Sequence, residues 1–269
     1  MTRGTTTQGI ERIMTEIRSV QVADGVSFFV PQAGGEQFSE VGFIYKEIFE
    51  DRTYLRHGIK LSDTSRIVDC GANVGLFTLF VKQQFPGAQV LAMEPIPPIY
   101  EALQRNLDAH GVKGVDTRRM ALGQRNEKVH FTFYPAVPGN STRYPEQKKV
   151  GQELTVEQIG QAEVDRVMTG LDVEAQVDRL STVLRDWAPG EQIDLLKIDV
   201  EGAELDVMQG LDDEDWLRID QAVIEVQDLD GRLDTIIDTL DGKGFSVVVE
   251  RAELPEVYRY YMVYATRQP

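Results

Sequence analysis

Basic residues and cysteine are the scarce components of this chain. Its 269 residues carry 28 lysines and arginines against 44 aspartates and glutamates, a formal net charge of −16. A surplus of that sign repels polyphosphates and anionic headgroups, so it argues against nucleic acid and membrane surfaces as partners. The obvious basic pairs, Arg118-Arg119 and Lys148-Lys149, read as solvated surface features. A single cysteine, Cys70, excludes an internal disulfide and fits a reducing cytoplasm. It reads as a small buried strand residue, not as a nucleophile. No apolar run approaches the ~20 residues that a membrane-spanning helix needs. The stretch from Met1 to Thr7 is polar and lacks the apolar core of a secretory leader.

What is present is an alternating pattern. From Arg66 onward, short runs rich in Val, Ile and Leu alternate with helical segments, as in a parallel sheet covered on both faces. Strands are expected at 66–70, 89–93, 115–120, 193–198, 222–226, 245–250 and 259–266. Helices are expected near 75–84, 97–110, 203–210 and 231–242. Only Arg251 to Val257 separates the last two strands, too short for a helical crossover, so they should pair antiparallel. A mostly parallel seven-stranded α/β sheet with a terminal antiparallel hairpin is the Rossmann-like, class I S-adenosylmethionine-dependent methyltransferase fold. Residues 61–269 are assigned to that domain. Residues 135–190 interrupt the alternation and read as an insertion near the open end of the sheet. It holds a loop over Pro135 to Lys149 and an amphipathic helix over Thr155 to Leu171.

Ahead of the domain, residues 1–60 read as a lid or accessory layer. Ile10, Ile13, Met14 and Ile17 fall at helical spacing over 1–18. Residues 19–30 read as a hairpin turning at Asp24-Gly25, Gln32 to Gln37 as a Gly-rich connection, and Phe43 to Tyr54 as a helix.

The densest signal is Ile67-Val68-Asp69-Cys70-Gly71-Ala72-Asn73-Val74-Gly75-Leu76-Phe77-Thr78. It reads as a buried strand, a glycine-bracketed turn and a helix start. Gly-x-Asn-x-Gly is not the Gly-x-Gly-x-x-Gly fingerprint that sets a pyrophosphate on a helix N-terminus. Glu94-Pro95 closes the next strand, and a carboxylate about 20 residues after such a turn can accept from both ribose hydroxyls. The pattern therefore points to a phosphate-free adenosine cofactor, S-adenosylmethionine. Asp69 at the strand end suits its ammonium, and Met120 and Ala121 suit its adenine. The candidate cofactor-binding set is Asp69, Gly71, Ala72, Asn73, Gly75, Glu94, Pro95, Met120, Ala121 and Asp199.

Methyl transfer to an alcohol releases a proton, so a base is sought. His57, Asp199 and Glu225 are the catalytic candidates. His57 has an ordinary range suited to neutral pH, and the two carboxylates end what should be adjacent strands. Asp199 and Glu225 could also hold a divalent metal, but no third ligand is evident, so metal is not favoured. Lys197, inside a buried strand, needs a carboxylate partner. His110 fits a helix C-terminus, His130 an exposed strand face, and Glu204 a helix N-terminus.

The blocks Val68 to Gly75, Glu94-Pro95, Asp194-Leu-Leu-Lys-Ile-Asp-Val-Glu-Gly-Ala-Glu204 and Ile224-Glu225-Val226 resemble the FkbM-type methyltransferase family. The resemblance runs from about Tyr45 to Arg267. Tyr45 to Ile59 and Gly231-Arg232-Leu233 are similar to the subgroup associated with polyketide and nonribosomal peptide assembly lines. The resemblance implies O-methylation of a natural-product hydroxyl, with S-adenosylhomocysteine as the product. The acceptor would be a small molecule, free or tethered to a carrier protein. One position departs from the subgroup: Gln227 stands where histidine is common, so no role of that histidine carries over. Two rivals are a nicotinamide-dependent oxidoreductase on a similar sheet and a catalytically inactive methyltransferase fold kept as a binding module.

Overall fold

A computed structural model describes residues 17–31, 40–149, 156, 160–252 and 254–267. β1 (Ile17–Ala23) and β2 (Val26–Pro31) form the expected hairpin, with Gly25 at φ 72° in the corner. Ile17 and Arg18 begin β1, where the spacing suggests the end of a helix. The rest of that helix and the Gly-rich connection lie outside the described residues. The helix expected over Phe43 to Tyr54 is broken. α1 (Glu40–Tyr45) runs into a π-helical turn at Lys46–Glu50, Arg52 reverses the chain at φ 51°, and a 3-10 turn follows at Thr53–Leu55. The break lets Val41, Ile48 and Tyr54 all enter the core, which one straight helix would not allow.

The alternation from Arg66 is observed. β3 (Arg66–Cys70), α2 (Leu76–Gln84), β4 (Gln89–Met93), α3 (Pro97–Ala109) and β5 (Val115–Arg118) lie close to the expected bounds. The chain continues through β6 (Ala121–Leu122), β7 (Glu127–Phe133), α4 (Gln161–Val167) and β8 (Leu171–Asp178). Then come α5 (Leu180–Trp187), β9 (Leu195–Ile198), α6 (Glu204–Gln209), α7 (Asp213–Trp216) and β10 (Gln221–Gln227). α8 (Arg232–Gly242), β11 (Ser246–Arg251) and β12 (Tyr260–Thr266) complete it.

The main sheet has the order β11-β12-β10-β9-β3-β4-β5, and β12 runs antiparallel to both of its neighbours. Alternate residues of each strand feed opposite faces. Ile67, Leu195 and Val223 join the layer holding α2 and the N-terminal elements, while Val68, Leu196 and Ile224 face α5 and α8.

The insertion at 135–190 differs from its reading. The helix expected over Thr155 to Leu171 is described as α4, and Leu171 starts β8; Thr155 and residues 157–159 lie outside the described residues. β8 lies between β6 and β7 in a second, three-stranded sheet. Its alternation is clean: Val173, Ala175 and Val177 are buried while Asp172, Glu174 and Gln176 are exposed. α5 packs on the main sheet, so this part of the insertion belongs to the covering layer. Among the described residues no helix is long and apolar enough to cross a membrane.

The glycine at the end of β3 is fixed by packing. Gly71 sits at φ 77°, and a Cβ there would lie 1.8 Å from the carbonyl oxygen of Asp199, a backbone atom that cannot swing aside. Gly71→Ala should destabilise the fold by about 3 kcal/mol, combining overpacking with left-handed backbone strain. Gly58→Ala carries only the strain, because nothing lies within 4 Å of its Cβ position, and should cost about 1 kcal/mol. Urea unfolding midpoints compare the two; equal losses would contradict the packing argument.

Candidate active site

A cavity of about 470 Å³ opens at the carboxyl ends of β3, β4, β9 and β10, the edge where open α/β sheets receive ligands. α1, the π-helical turn and the loop from Val137 to Ser141 roof it. Gly71, Ala72, Asn73, Glu94, Pro95, Met120, Ala121, Asp199 and Glu225 all line this one space.

One wall is built from backbone amides around a carboxylate. The N–H groups of Gly71 and Ala72 donate to the Met93 carbonyl at 3.0 and 2.9 Å, which ties the ends of β3 and β4 together. Asn73 takes the left-handed conformation, at φ 50°. Its N–H donates to Glu94 Oε2 at 3.2 Å, and the Ile96 N–H donates to Glu94 Oε1 at 2.9 Å. Burial nevertheless pushes the Glu94 carboxyl up to about 7. Among the described residues no cation pairs with it, so a fixed acceptor faces the cavity.

Three expected site residues stand elsewhere. Asp69 is fully buried and does not line the cavity. Thr78 Oγ1 donates to its Oδ2 at 2.7 Å, and Lys197 Nζ lies 3.1 Å from Oδ1 as an ion pair without an aligned hydrogen bond. Asp69 therefore neutralises a lysine and is not available to a ligand's ammonium. Gly75 also lies outside the lining; a Cβ there would meet Leu103 Cδ1 at 2.5 Å, so its smallness serves the contact of α2 with α3. His57 turns away. Its Nε2 lies 2.7 Å from Glu250 Oε2 on β11, beside Arg56, which donates to the other oxygen at 2.8 Å. Its expected role as the base is withdrawn.

The other wall is acidic. Lys197 Nζ donates to the Gly71 carbonyl at 3.0 Å and lies 3.4 Å from Asp199 Oδ2. Tyr54 Oη lies 3.0 Å from Asp199 Oδ2 and 3.3 Å from Glu225 Oε2. Lys148, buried under the roof, pairs with Glu201. Glu40 accepts from the Gly139 N–H at 2.8 Å, closing α1 onto the loop. Burial pushes Glu40 and Glu47 each up to about 7. Glu225 is driven well above the carboxylate range by burial, then by the neighbouring charges of Asp199, Glu47 and Glu201. Gln227 lines the cavity near Tyr258 and Tyr260. Among the described residues, no group of three or more His, Cys, Asp or Glu side chains is arranged to hold a metal ion.

Sequence reasoning missed Tyr54, Glu40, Glu47 and Lys148. A signal existed for two of them: Glu40 and Glu47 are seven positions apart, which puts them on one helical face.

The sheet order and a ligand cavity at its carboxyl edge define the class I S-adenosylmethionine-dependent methyltransferase fold. An FkbM methyltransferase crystal structure from Methylobacillus flagellatus KT shares that fold, with a TM-score of 0.53 at 15% identity over 78% of this chain and 46% of that one. The Methyltransferase FkbM domain profile matches residues 69–247, and the chain belongs to the FkbM methyltransferase family. Methyltransferase 1 of Beauveria bassiana (strain ARSEF 2860) is 40% identical over 256 residues, covering 94% of this chain and 100% of that protein. The 31-O-demethyl-FK506 methyltransferase FkbM of Streptomyces tacrolimicus is 39% identical over 225 residues, covering 80% of this chain and 85% of that protein.

The raised carboxyls give the ligand-free protein a defined pH response. Glu40, Glu47, Glu94 and Glu204 are each raised from 4.5 to about 7 by burial. Between those values the folded chain holds protons that the unfolded chain has released, so unfolding free energy should fall as pH rises through the window. Denaturant midpoints at the two ends of the window test this; a higher midpoint at the alkaline end contradicts the assignment.

Proposed function

We propose that the cavity binds S-adenosylmethionine and that the chain methylates a hydroxyl of a small natural product of polyketide or nonribosomal peptide origin. The observation that carries the cofactor reading is Glu94. It is a buried carboxylate with no cation paired to it among the described residues, held by two backbone N–H groups and facing the cavity between Asn73 and Ile96. A carboxylate acceptor so placed fits a ribose, whose two hydroxyls can both donate to it. It does not fit a pyrophosphate. Six carboxyl groups line the cavity (Glu40, Glu47, Glu94, Asp199, Glu201 and Glu225) against two lysines, Lys148 and Lys197. A dinucleotide would bring two more negative charges among those acidic groups, whereas a sulfonium and an ammonium bring the opposite sign.

When bound, S-adenosylmethionine supplies an activated methyl group that needs positioning more than further activation. Gly71, Ala72, Asn73, Glu94, Pro95, Met120 and Ala121 would hold it. Asp199 is assigned as the base. Its Oδ2 is fixed by Tyr54 and Lys197, and its side chain keeps 26% of its surface exposed in the cavity. The remaining oxygen can accept the proton of an acceptor hydroxyl. The elements before about residue 60 serve as a cover for the domain spanning 61–269. The hydroxyl as acceptor is favoured by the name of the Streptomyces relative, a methyltransferase of 31-O-demethyl-FK506. The single buried Cys70 suits a reducing, cytoplasmic setting.

Glu94→Ala should weaken S-adenosylhomocysteine binding by about 2 kcal/mol, since a charged acceptor is lost from a buried site. Titration calorimetry measures this, and an unchanged dissociation constant would overturn the ribose assignment. Asp199→Asn should lower turnover by ~10²–10⁴-fold while S-adenosylhomocysteine affinity holds. The assay uses methyl-labelled S-adenosylmethionine with a panel of hydroxylated polyketides and peptides, and NMR locates the transferred methyl. A label on nitrogen or carbon would refute O-methylation.

A further inference from the structure

The contact between Tyr54, Asp199 and Glu225 contains a counting problem. A tyrosine hydroxyl has one hydrogen. Its oxygen lies within reach of two carboxyl groups, at 3.0 Å from Asp199 Oδ2 and 3.3 Å from Glu225 Oε2. If both carboxyls were ionised, one would point its lone pairs at those of the phenol oxygen in a buried place. The arrangement is satisfied when one carboxyl carries a proton and donates it to the phenol.

The surroundings decide which carboxyl that is. Asp199 has the Lys197 ammonium 3.4 Å from Oδ2 and is the nearer partner of Tyr54. Among the described residues Glu225 has no cation in contact. The charged groups that act on it most strongly are Asp199, Glu47 and Glu201, opposed by Lys197, and the phenols of Tyr54 and Tyr260 also face it. Those facing Asp199 are Lys197, Tyr54, Glu225, Glu201, Glu47 and Glu40. Tyr54 cannot turn to relieve the contact. Its ring packs 5.2 Å from Phe77, centroid to centroid, and Lys197 Nζ sits 5.4 Å over it.

We infer that Tyr54 is the positioning residue of this site: its hydroxyl donates to an ionised Asp199, while Glu225 stays protonated and donates to the Tyr54 oxygen. The role of Asp199 as the base rests on the proposed function; the protonation pattern rests on the contacts alone. On this assignment Glu225 is not a second base. It is a neutral donor that lets two carboxyl groups share one hydroxyl without mutual repulsion. Tyr54 then makes the cover segment part of the reaction centre, since it locks one oxygen of Asp199 and leaves the other free.

Infrared difference spectroscopy of the ligand-free full chain tests this without cofactor or acceptor. Spectra are taken in deuterated buffer at about pH 9, where groups poised near neutrality have lost their protons. Wild type minus Glu225→Gln should show one protonated-carboxyl carbonyl band lost. Tyr54→Phe keeps the ring and removes the hydroxyl, and should move that band to higher frequency, because the carboxyl loses its acceptor. Absence of the band from the first difference spectrum, or a band that Tyr54→Phe leaves in place, overturns the assignment. If either variant fails to fold, carbon-13 glutamate labelling of wild type and of Glu201→Gln decides: a label-shifted protonated-carboxyl band that both keep supports the assignment, and a band absent from wild type or lost in Glu201→Gln defeats it. Loss of S-adenosylhomocysteine binding in calorimetry would defeat the cofactor reading while leaving this one standing.

Discussion

The ammonium of Lys197 is the interaction on which the site depends. Asp69 and Lys197 are register partners on β3 and β9, and Asp199 follows two positions on. Two carboxylates at the ends of adjacent buried strands would repel each other strongly without a cation between them. Lys197 lies against both, and its third contact is the Gly71 carbonyl at the mouth of the turn. One buried charge thus sets the end of β3, the close approach of Gly71 to Asp199, and the orientation of the carboxylate that faces the cavity. The environment answers in kind: both anions hold the lysine in its protonated form against the cost of burial.

Around that fixed point the cover is built from irregular backbone. α1 gives way to a π-helical turn, Arg52 and His57 flank Tyr54 with left-handed φ values, and Asn73 and Glu201 adopt them in the cavity wall. π turns and strained residues of this kind concentrate where a chain must aim side chains that regular helix would misdirect. Here they bring Glu47 and Tyr54 inward and send His57 outward to Glu250.

Much of this was legible beforehand. The strands β3 and β4 and the helices α2, α3 and α8 follow from unbroken apolar runs and periodicity. The antiparallel finish follows from a connection too short for a helix. The small sheet was not read, because β8 has a strand's alternation but is preceded by a helix of similar apolar content, and its partner β7 lies nearly 40 residues earlier. Asp69 shows a different failure. Two-residue alternation places Asp69 with Ile67 and Lys197 with Leu195 on the α2 side of the sheet, so the pair was derivable from sequence. The ligand-like position of Asp69 beside the glycine turn obscured it. Tyr54 and His57 stand three residues apart, and only the backbone reversals around them decide which one enters the cavity.

The placement of β12 has a consequence for how the chain acquires its shape. It is the last strand in sequence, yet it lies between β10 and β11 and supplies every hydrogen-bonded register that joins β11 to the rest of the sheet. β11 therefore has no partner in the sheet until β12 is in place, although β11 comes first along the chain. Pairing at this edge cannot follow chain order: the valines of β11 are tied to β10 only through the strand that comes after them.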